Sequence, residues 1–312
     1  MNQSIPQVSI LIPAYNPAYF EQALRSALAQ TFPSIEIIVC DDSPAADIHA
    51  VVRRYPDARV RYERNETNLG FAGNFTRCFT LARGEYIKFL NDDDVLHPDG
   101  VRRMVTAFTE HPGVTLVTSK RRMINDRHEP LKDVFATAPL ANVECRMKGA
   151  ALGDHALRHS VNFIGEPTTA LFRKADVHVQ RENIFHLAGH DYVCLADLSL
   201  WLRLLARGDA LYFPEELSLF RIHAGQEQRK PEVALRCLTE RHDLIFDAKA
   251  LGFLHSPRVY QAALKSVLDM FDAALAGGAL DAPAREHIQG LRQSLLAEMK
   301  RVSDVSEGSG TK

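Results

Sequence analysis

The sequence predicts an α/β fold, a mostly parallel sheet with helices on both faces, followed by a C-terminal helical appendage. Three observations predict it. Short apolar runs alternate with stretches of helical period as far as Thr118. Proline or acidic residues close the first, second and fourth of those runs. From Pro231 onward only helical periodicity remains. Alternation of this kind implies parallel strands buried on both sides.

Val8 to Ile12 is a β-rich run ended by Pro13. Pro17 to Gln30 reads as a helix, because Phe20, Leu24 and Leu28 share a face. Ile35 to Cys40 is a second strand, closing in Asp41-Asp42. Ile48 to Tyr55 is a short helix, Val60 to Tyr62 a third strand and Phe71 to Ala82 a helix. Tyr86 to Leu90 is a fourth strand, Pro98 to Glu110 a helix and Val114 to Thr118 a strand. After Ser119 the rhythm breaks. Arg121 to Ile124 suggests a strand and turn, Leu131 to Cys145 a loop, Lys148 to His159 a helix and Thr169 to Phe172 a strand. Leu198, Trp201, Leu202 and Leu205 place one face of a helix over Leu195 to Ala206. Leu211 to Phe213 and Ser218 to Ile222 are short strands. Three helices follow, marked by Leu235, Leu238, His242 and Ile245, then by Pro257 to Leu275, then by Ile288, Leu291, Leu295 and Met299. The division is therefore an α/β domain over 1–228, a helical region over 229–302 and a polar tail over 303–312 expected to be disordered.

Of the 312 residues, 46% are hydrophobic and 24% charged, an ordinary soluble composition. The net charge of -2 gives no general attraction for nucleic acid. Five cysteines, widely spaced and without C-x-x-C, are expected as reduced thiols, mostly core filler. No apolar run reaches the roughly 18 residues of a membrane span. M-N-Q-S-I-P-Q lacks the features of a signal peptide, so a cytoplasmic location is expected.

The most informative motif is F-L-N-D-D-D-V, Phe89 to Val95, with three aspartates at a strand's carboxyl end. Ligands bind at such ends in open α/β sheets. Adjacent carboxylates repel, and a divalent cation shared with substrate phosphates relieves that repulsion. Oxygen ligands suit Mg2+ or Mn2+. The competing reading is a solvated acidic turn before the next helix. A calcium loop from Asp92 fails on spacing, since Leu96, His97 and Arg103 stand where an oxygen ligand, Gly and Glu are needed.

The first strand runs into P-A-Y-N, Pro13 to Asn16, with no G-x-G-x-x-G and hence no Rossmann fingerprint. Asp41, at the second strand's end, is either a helix cap or an acceptor for a pyrimidine ring amide. N-L-G-F-A-G-N, Asn68 to Asn74, is either a plain turn and cap or a place where a ligand meets backbone at Gly70 and Gly73 and amides at Asn68 and Asn74.

Taken in order, P-A-Y-N, D-D-S, N-L-G-x-x-x-N and N-D-D-D resemble the inverting family 2 glycosyltransferases of GT-A fold, over roughly residues 6 to 228. The resemblance implies that Pro13, Ala14, Tyr15, Asn16, Asp41, Asn68, Gly70, Asn74 and Asp92 bind the nucleotide-sugar donor, with Tyr15 and Asp41 on the base. It implies metal binding at Asp93 and Asp94. L-A-D-L-S-L-W-L-R-L, Leu195 to Leu204, resembles the family's helix bearing the catalytic base, here Asp197, although Ala196 replaces the usual Glu. Phe220 to Gln226 resembles the family's R-I-H segment, which implies Arg221 at the diphosphate and His223 at the metal. Gly165 to Arg173 resembles the acceptor-side loop, where Glu166 either bonds acceptor hydroxyls or caps the loop.

The expected function is a metal-dependent inverting glycosyltransferase of hexosyl type. Its divalent cation is Mn2+ or Mg2+, and its donor a UDP-sugar ahead of dTDP- or GDP-sugars. The acceptor is a glycan, a lipid-linked sugar or a protein, with no nucleic acid. Peripheral membrane contact and self-association stay open for the helical region. Asn91 and Ala196 keep an inactive sugar-nucleotide-binding scaffold as the alternative. A nucleotidyltransferase is disfavoured because P-A-Y-N-P is not a Gly- and Lys/Arg-rich loop.

Overall fold

The computed structural model describes residues 5–225, 231–278 and 280–308, with the backbone alone for 231, 232 and 305–308. Gln226 of the R-I-H segment, the 228/229 boundary and the last tail residues lie outside the described residues. In chain order the elements are β1 (Val8–Ala14), α1 (Pro17–Leu28), β2 (Ile35–Asp41), α2 (Asp47–Val52), β3 (Val60–Arg64), α3 (Gly70–Leu81), β4 (Tyr86–Phe89), β5 (Val95–Leu96), α4 (Gly100–Glu110) and β6 (Val114–Ile124). They continue with β7 (Cys145–Met147), α5 (Gly149–His159), β8 (Leu171–Arg173), β9 (His186–Leu187), β10 (His190–Asp191), α6 (Ala196–Leu205), β11 (Asp209–Arg221), α7 (Pro231–Ala250), α8 (Pro257–Ala276) and α9 (Ala282–Gly308).

The main sheet has the order β3-β2-β1-β4-β8-β6-β11-β5, with β7 also paired to β11. The first four strands are parallel, as are β6 and β11, while β8 runs antiparallel between β4 and β6. Every residue of β1 and β2 is buried, as parallel interior strands require. Their polar positions are matched in register: Ser9 lies opposite Glu36 and donates to it at 2.6 Å.

Two apolar layers cover the sheet. One packs Phe20 and Leu24 of α1 with Met104 and Phe108 of α4. The other packs Phe75 and Phe79 of α3, Trp201 of α6, and Leu264 and Phe271 of α8. The C-terminal helices thus share a core with the α/β domain, on the side that carries α6. Among the described residues no helix is long and apolar enough to cross a membrane.

Several boundaries differ from expectation. The stretches Val114 to Thr118 and Arg121 to Ile124 form one strand, β6. The two short strands around Pro214 also join, as β11, which keeps its partner β6 through register shifts near Glu216. Helix α9 runs on to Gly308, into the tail expected to be disordered. Cys194 and Cys237 are bonded to each other, a correction to the expected five reduced thiols. The pairing joins the approach to α6 with α7, across a sequence separation of 43 that spacing could not reveal. Cys40, Cys78 and Cys145 are free.

Candidate active site

The order β3-β2-β1-β4 brings the carboxyl ends of four parallel strands side by side, and the acidic and amide motifs stand on those ends. Asp92, after β4, accepts the backbone N–H groups of Tyr15 and Asn16, both at 2.7 Å, and so fixes the turn after β1. Burial, then the Asp93 charge, pushes the Asp92 carboxyl up to about 7. Asn16 caps α1 by accepting from Ala18. Pro13 and Ala14 are buried in β1, so their part is to place Tyr15, a residue 54% exposed.

A cleft of about 230 Å³ opens beside Tyr15, lined by Asp42, Ser43, Arg64, Asn65 and Asn68 among others. Asp42 and Glu66 are the carboxylates at its wall, and Asp42 is the one fixed by backbone donors. It accepts Leu69 N and Gly70 N at the start of α3, and Asn65 Nδ2 at 2.8 Å. Asn68 donates to the Asp42 carbonyl and accepts from Gly70 N. Asp41, expected on the base, is fully buried one residue earlier. It accepts from Ser43, from Tyr62 OH at 2.6 Å and from Arg64 at 2.7 Å. Burial alone would raise its carboxyl, but the bonds from Ser43, Tyr62 and Arg64 hold it below the ordinary carboxylate range. Asp41, the last residue of β2, therefore braces the cleft, and Asp42, the first residue past the strand, lines it. Asn74 is likewise buried, tying Cys40 O to Asn65.

The three aspartates after Asn91 have three different surroundings. Asp93 is partly exposed, and its Oδ2 lies 3.1 Å from His223 Nε2. Asp94, expected as a metal ligand, is fully buried. Its oxygens accept from Arg221 N, Thr168 Oγ1 and Asn91 Nδ2. Burial, then the Asp93 charge, pushes it well above its ordinary range. Adjacent carboxylates cannot all stay ionised at low cost, and this one has turned inward to protein donors. Arg221, expected at the diphosphate, is also fully buried. Its guanidinium reaches Asp93 O, Asn125 O and Gln22 Oε1, and stacks over Tyr19. It positions the acidic motif.

Asp93 and His223 thus keep some exposure, at 19% and 9% of their side chains, and face each other. Among the described residues there is no group of three His, Cys, Asp or Glu that could hold a metal. A cation held by one or two protein ligands and by substrate phosphates and water needs no such group, and the pair fits Mn2+ or Mg2+ on those terms.

Asp197 is the second residue of α6. Its Oδ2 accepts Asn162 Nδ2 at 2.8 Å and its Oδ1 accepts Leu198 N at 2.7 Å. Burial, then the Glu166 charge, pushes its carboxyl up to about 7. Glu166 is ion-paired with Arg121 at 2.9 Å. Next to it, Gly165 O accepts both Trp201 Nε1 and Asn162 Nδ2. Gly165 has φ 113°, and an added Cβ would meet Thr169 Oγ1 at 2.6 Å, so the loop requires glycine. Arg64, Arg121 and Asn162 were not singled out in the sequence. Arg64 had a usable signal, its place at the end of β3; Arg121 and Asn162 had none.

The sequence model of Glycosyl transferase family 2 matches residues 9–179. An uncharacterized protein of Mycobacterium tuberculosis is 30% identical over 258 residues, 78% of this chain and 76% of that protein. The Escherichia coli protein WfaP, described as UDP-Glc:alpha-D-GlcNAc-diphosphoundecaprenol beta-1,3-glucosyltransferase, is 27% identical over 220 residues, 70% of this chain and 78% of that one. The crystal structure of S. aureus TarS 1-349 superposes with a TM-score of 0.65 at 17% identity, covering 95% of this chain and 82% of that one.

Proposed function

The chain belongs to glycosyl transferase family 2 and is a glycosyltransferase of GT-A fold, and on that premise we propose that it moves a sugar from a UDP-sugar to an acceptor hydroxyl with inversion and with help from a divalent cation. The observation that carries this reading is a single segment, residues 162–168, that joins base to acidic motif. Asn162 donates to Asp197 at 2.8 Å, and Thr168 donates to Asp94 at 2.7 Å.

In this reading Tyr15, Asp42 and Asn68 receive the nucleoside, with the exposed Tyr15 ring beside the base. Asp92 keeps the turn at Tyr15 and Asn16 in place. Asp93 and His223 would hold the cation, whose chemistry there is Lewis-acid stabilisation of the departing diphosphate. Asp197 takes the acceptor's hydroxyl proton as that oxygen attacks the anomeric carbon and the bond to the diphosphate breaks. A carboxyl raised to about 7 is suited to this, because a base works best with a pKa near the working pH. Glu166, held by Arg121, adds its charge to the effect of burial in raising the Asp197 carboxyl, and faces the acceptor side. Because WfaP is described as using UDP-Glc and a lipid diphosphate-linked sugar, we extend the proposal to a UDP-hexose donor and a lipid-linked acceptor in polysaccharide biosynthesis, in the cytoplasm.

A donor screen tests this. UDP-, dTDP- and GDP-sugars are each supplied with Mn2+, and released nucleoside diphosphate is read. UDP release that EDTA abolishes is expected. A preference for GDP- or dTDP-sugars would retire the donor, and EDTA-insensitive release would retire the cation.

A further inference from the structure

Helix α6 carries the base but lacks a cap of its own. Its N-cap residue is Leu195, and no side-chain cap bond is made there. The unpaired N–H groups of a helix start need acceptors. Glu240, on α7 and 6% exposed, supplies one to the N-cap N–H and to the two N–H groups leading into it. Its Oε1 accepts Val193 N at 3.0 Å, and its Oε2 accepts Cys194 N and Leu195 N, both at 2.8 Å. Arg236, one turn earlier, offsets its charge at 2.8 Å. A carboxylate is therefore delivered to the helix start from α7, beside Ala196.

The next residue holds the opposite side. Arg241 donates to the carbonyl of Ser160 and, at 2.9 Å, to its hydroxyl. Ser160 ends α5 in the left-handed region at φ 54°, two residues before Asn162. Asn162 in turn donates to Asp197 Oδ2 and accepts Ile164 N and Gly165 N. Two arms thus converge on Asp197, one through Leu195 and one through Asn162. Adjacent residues of α7 hold one each.

We propose that Glu240 and Arg241 are positioning residues for Asp197, so that the helical C-terminal region sets the geometry of the catalytic base. This rests on the reading of Asp197 as the base. A displacement of about 1 Å at a reacting group is enough to cost on the order of 10²-fold in rate. Neither residue touches the nucleoside cleft, so the effect belongs to kcat and leaves nucleotide affinity alone.

The test uses the full chain with UDP-glucose and Mn2+, water serving as acceptor, and reads UDP release across pH and UDP affinity by calorimetry. The variants are Glu240→Ala, Glu240→Gln, Arg241→Ala and Arg241→Lys. Asp197→Asn is the reference. Glu298→Ala is the control, since among the described residues Glu298 is hydrogen-bonded to Tyr260 and Arg301, both in the helical region. Glu240→Ala and Arg241→Ala should lower kcat by about 10- to 100-fold with UDP affinity within about twofold. Glu240→Gln and Arg241→Lys, which keep part of the bonding, should recover some of the rate. They decide the matter if the alanine variants do not fold.

The groups facing Asp197 are Glu166, Arg121 and Asn162. Loosened arms admit water to the carboxylate, so the acid limb of kcat should move to lower pH. Glu298→Ala should leave rate and limb as in wild type. Folded Glu240 and Arg241 variants with wild-type kcat and limb, alongside a slow Asp197→Asn, would overturn the inference alone. No UDP release by wild type, or wild-type release by Asp197→Asn, would overturn the reading of the site and the inference with it.

Discussion

His223 Nε2 lies 3.1 Å from Asp93 Oδ2, although 130 residues separate them in sequence. The carboxyl end of β11 brings them together. Arg221 N donates to Asp94 and its guanidinium to Asp93 O, so the strand is stitched to the acidic motif just before His223. Asp93→Ala and His223→Ala should each weaken UDP binding when Mn2+ is present and change it little in EDTA. Isothermal titration in the two conditions reads the difference. An undiminished Mn2+ increment in both variants would remove the metal from this pair.

The cleft gives a second prediction, in which Asp42 and Asp41 part company. Asp42→Ala takes an acceptor from Leu69 N, Gly70 N and Asn65 at the cleft wall, the last two keeping Asn68 and Asn74 as partners, and removes the Asp42 carboxylate. Loss of one charge-assisted bond to the base implies about 1.5–3 kcal/mol, or about 10- to 150-fold in the UDP dissociation constant. Equal UDP affinity in wild type and Asp42→Ala would leave Asp42 as a helix cap only.

Asp41→Asn should instead destabilise the fold in a pH-dependent way. The folded carboxyl titrates below its unfolded value of 3.8, so its contribution is complete above that value. It is lost as pH falls through the lower folded pKa. Urea midpoints of wild type and Asp41→Asn should differ at pH 7 and converge below about 3.8. A constant difference across that window would contradict the assignment.

Gly165→Ala places a side chain at a positive φ and drives its Cβ into Thr169. The strain should cost about 1–3 kcal/mol in stability. The larger effect should be on rate, because Gly165 O anchors Asn162 and Trp201 and the next residue is Glu166. Thermal denaturation and UDP release together check this. A variant unchanged in both would mean that the loop relaxes freely.

Burial is the larger cause of the raised Asp197 carboxyl; Glu166→Gln removes the charge that adds to it and leaves Arg121, which lowers it, without its ion-pair partner. Both changes push the Asp197 carboxyl down from about 7. The base must be ionised to accept a proton, so the wild-type rate should rise with pH through about 7 and level off above it. In Glu166→Gln that limb should lie at lower pH. A limb that stays in place would separate Glu166 from the base.

Much of the cleft and acidic part of the proposed site was legible because it lies on strand ends. Buried β1, β2 and β4 are short, mostly apolar runs, each interrupted by one buried polar residue (Ser9, Glu36, Lys88), and a proline or acidic cluster lies at or just past the end of each. The same logic failed between neighbours on one strand end. Asp41 and Asp42 are adjacent carboxylates, and only the tertiary partners each one meets decide which lines the cleft. It failed again at Asp94 and Arg221, which carry the motif's residue types but face inward. Glu240, Arg241 and Asn162 were invisible for another reason. Their partners are backbone groups and side chains brought near by tertiary packing, and a capping Glu in the middle of α7 looks like any solvated helix residue. Pro214 hid the continuity of β11, since it breaks the apolar run without breaking the strand.

The role of Asp197 is tested most directly by single-turnover sugar transfer in Asp197→Asn, measured beside UDP affinity. Asparagine keeps the shape of the side chain and a carbonyl acceptor but cannot take a proton. UDP affinity should match wild type, because Asp197 does not line the nucleoside cleft. Transfer should fall by about 10²-fold or more. A folded Asp197→Asn that binds UDP normally and transfers sugar at the wild-type rate would contradict the assignment of Asp197 as the base.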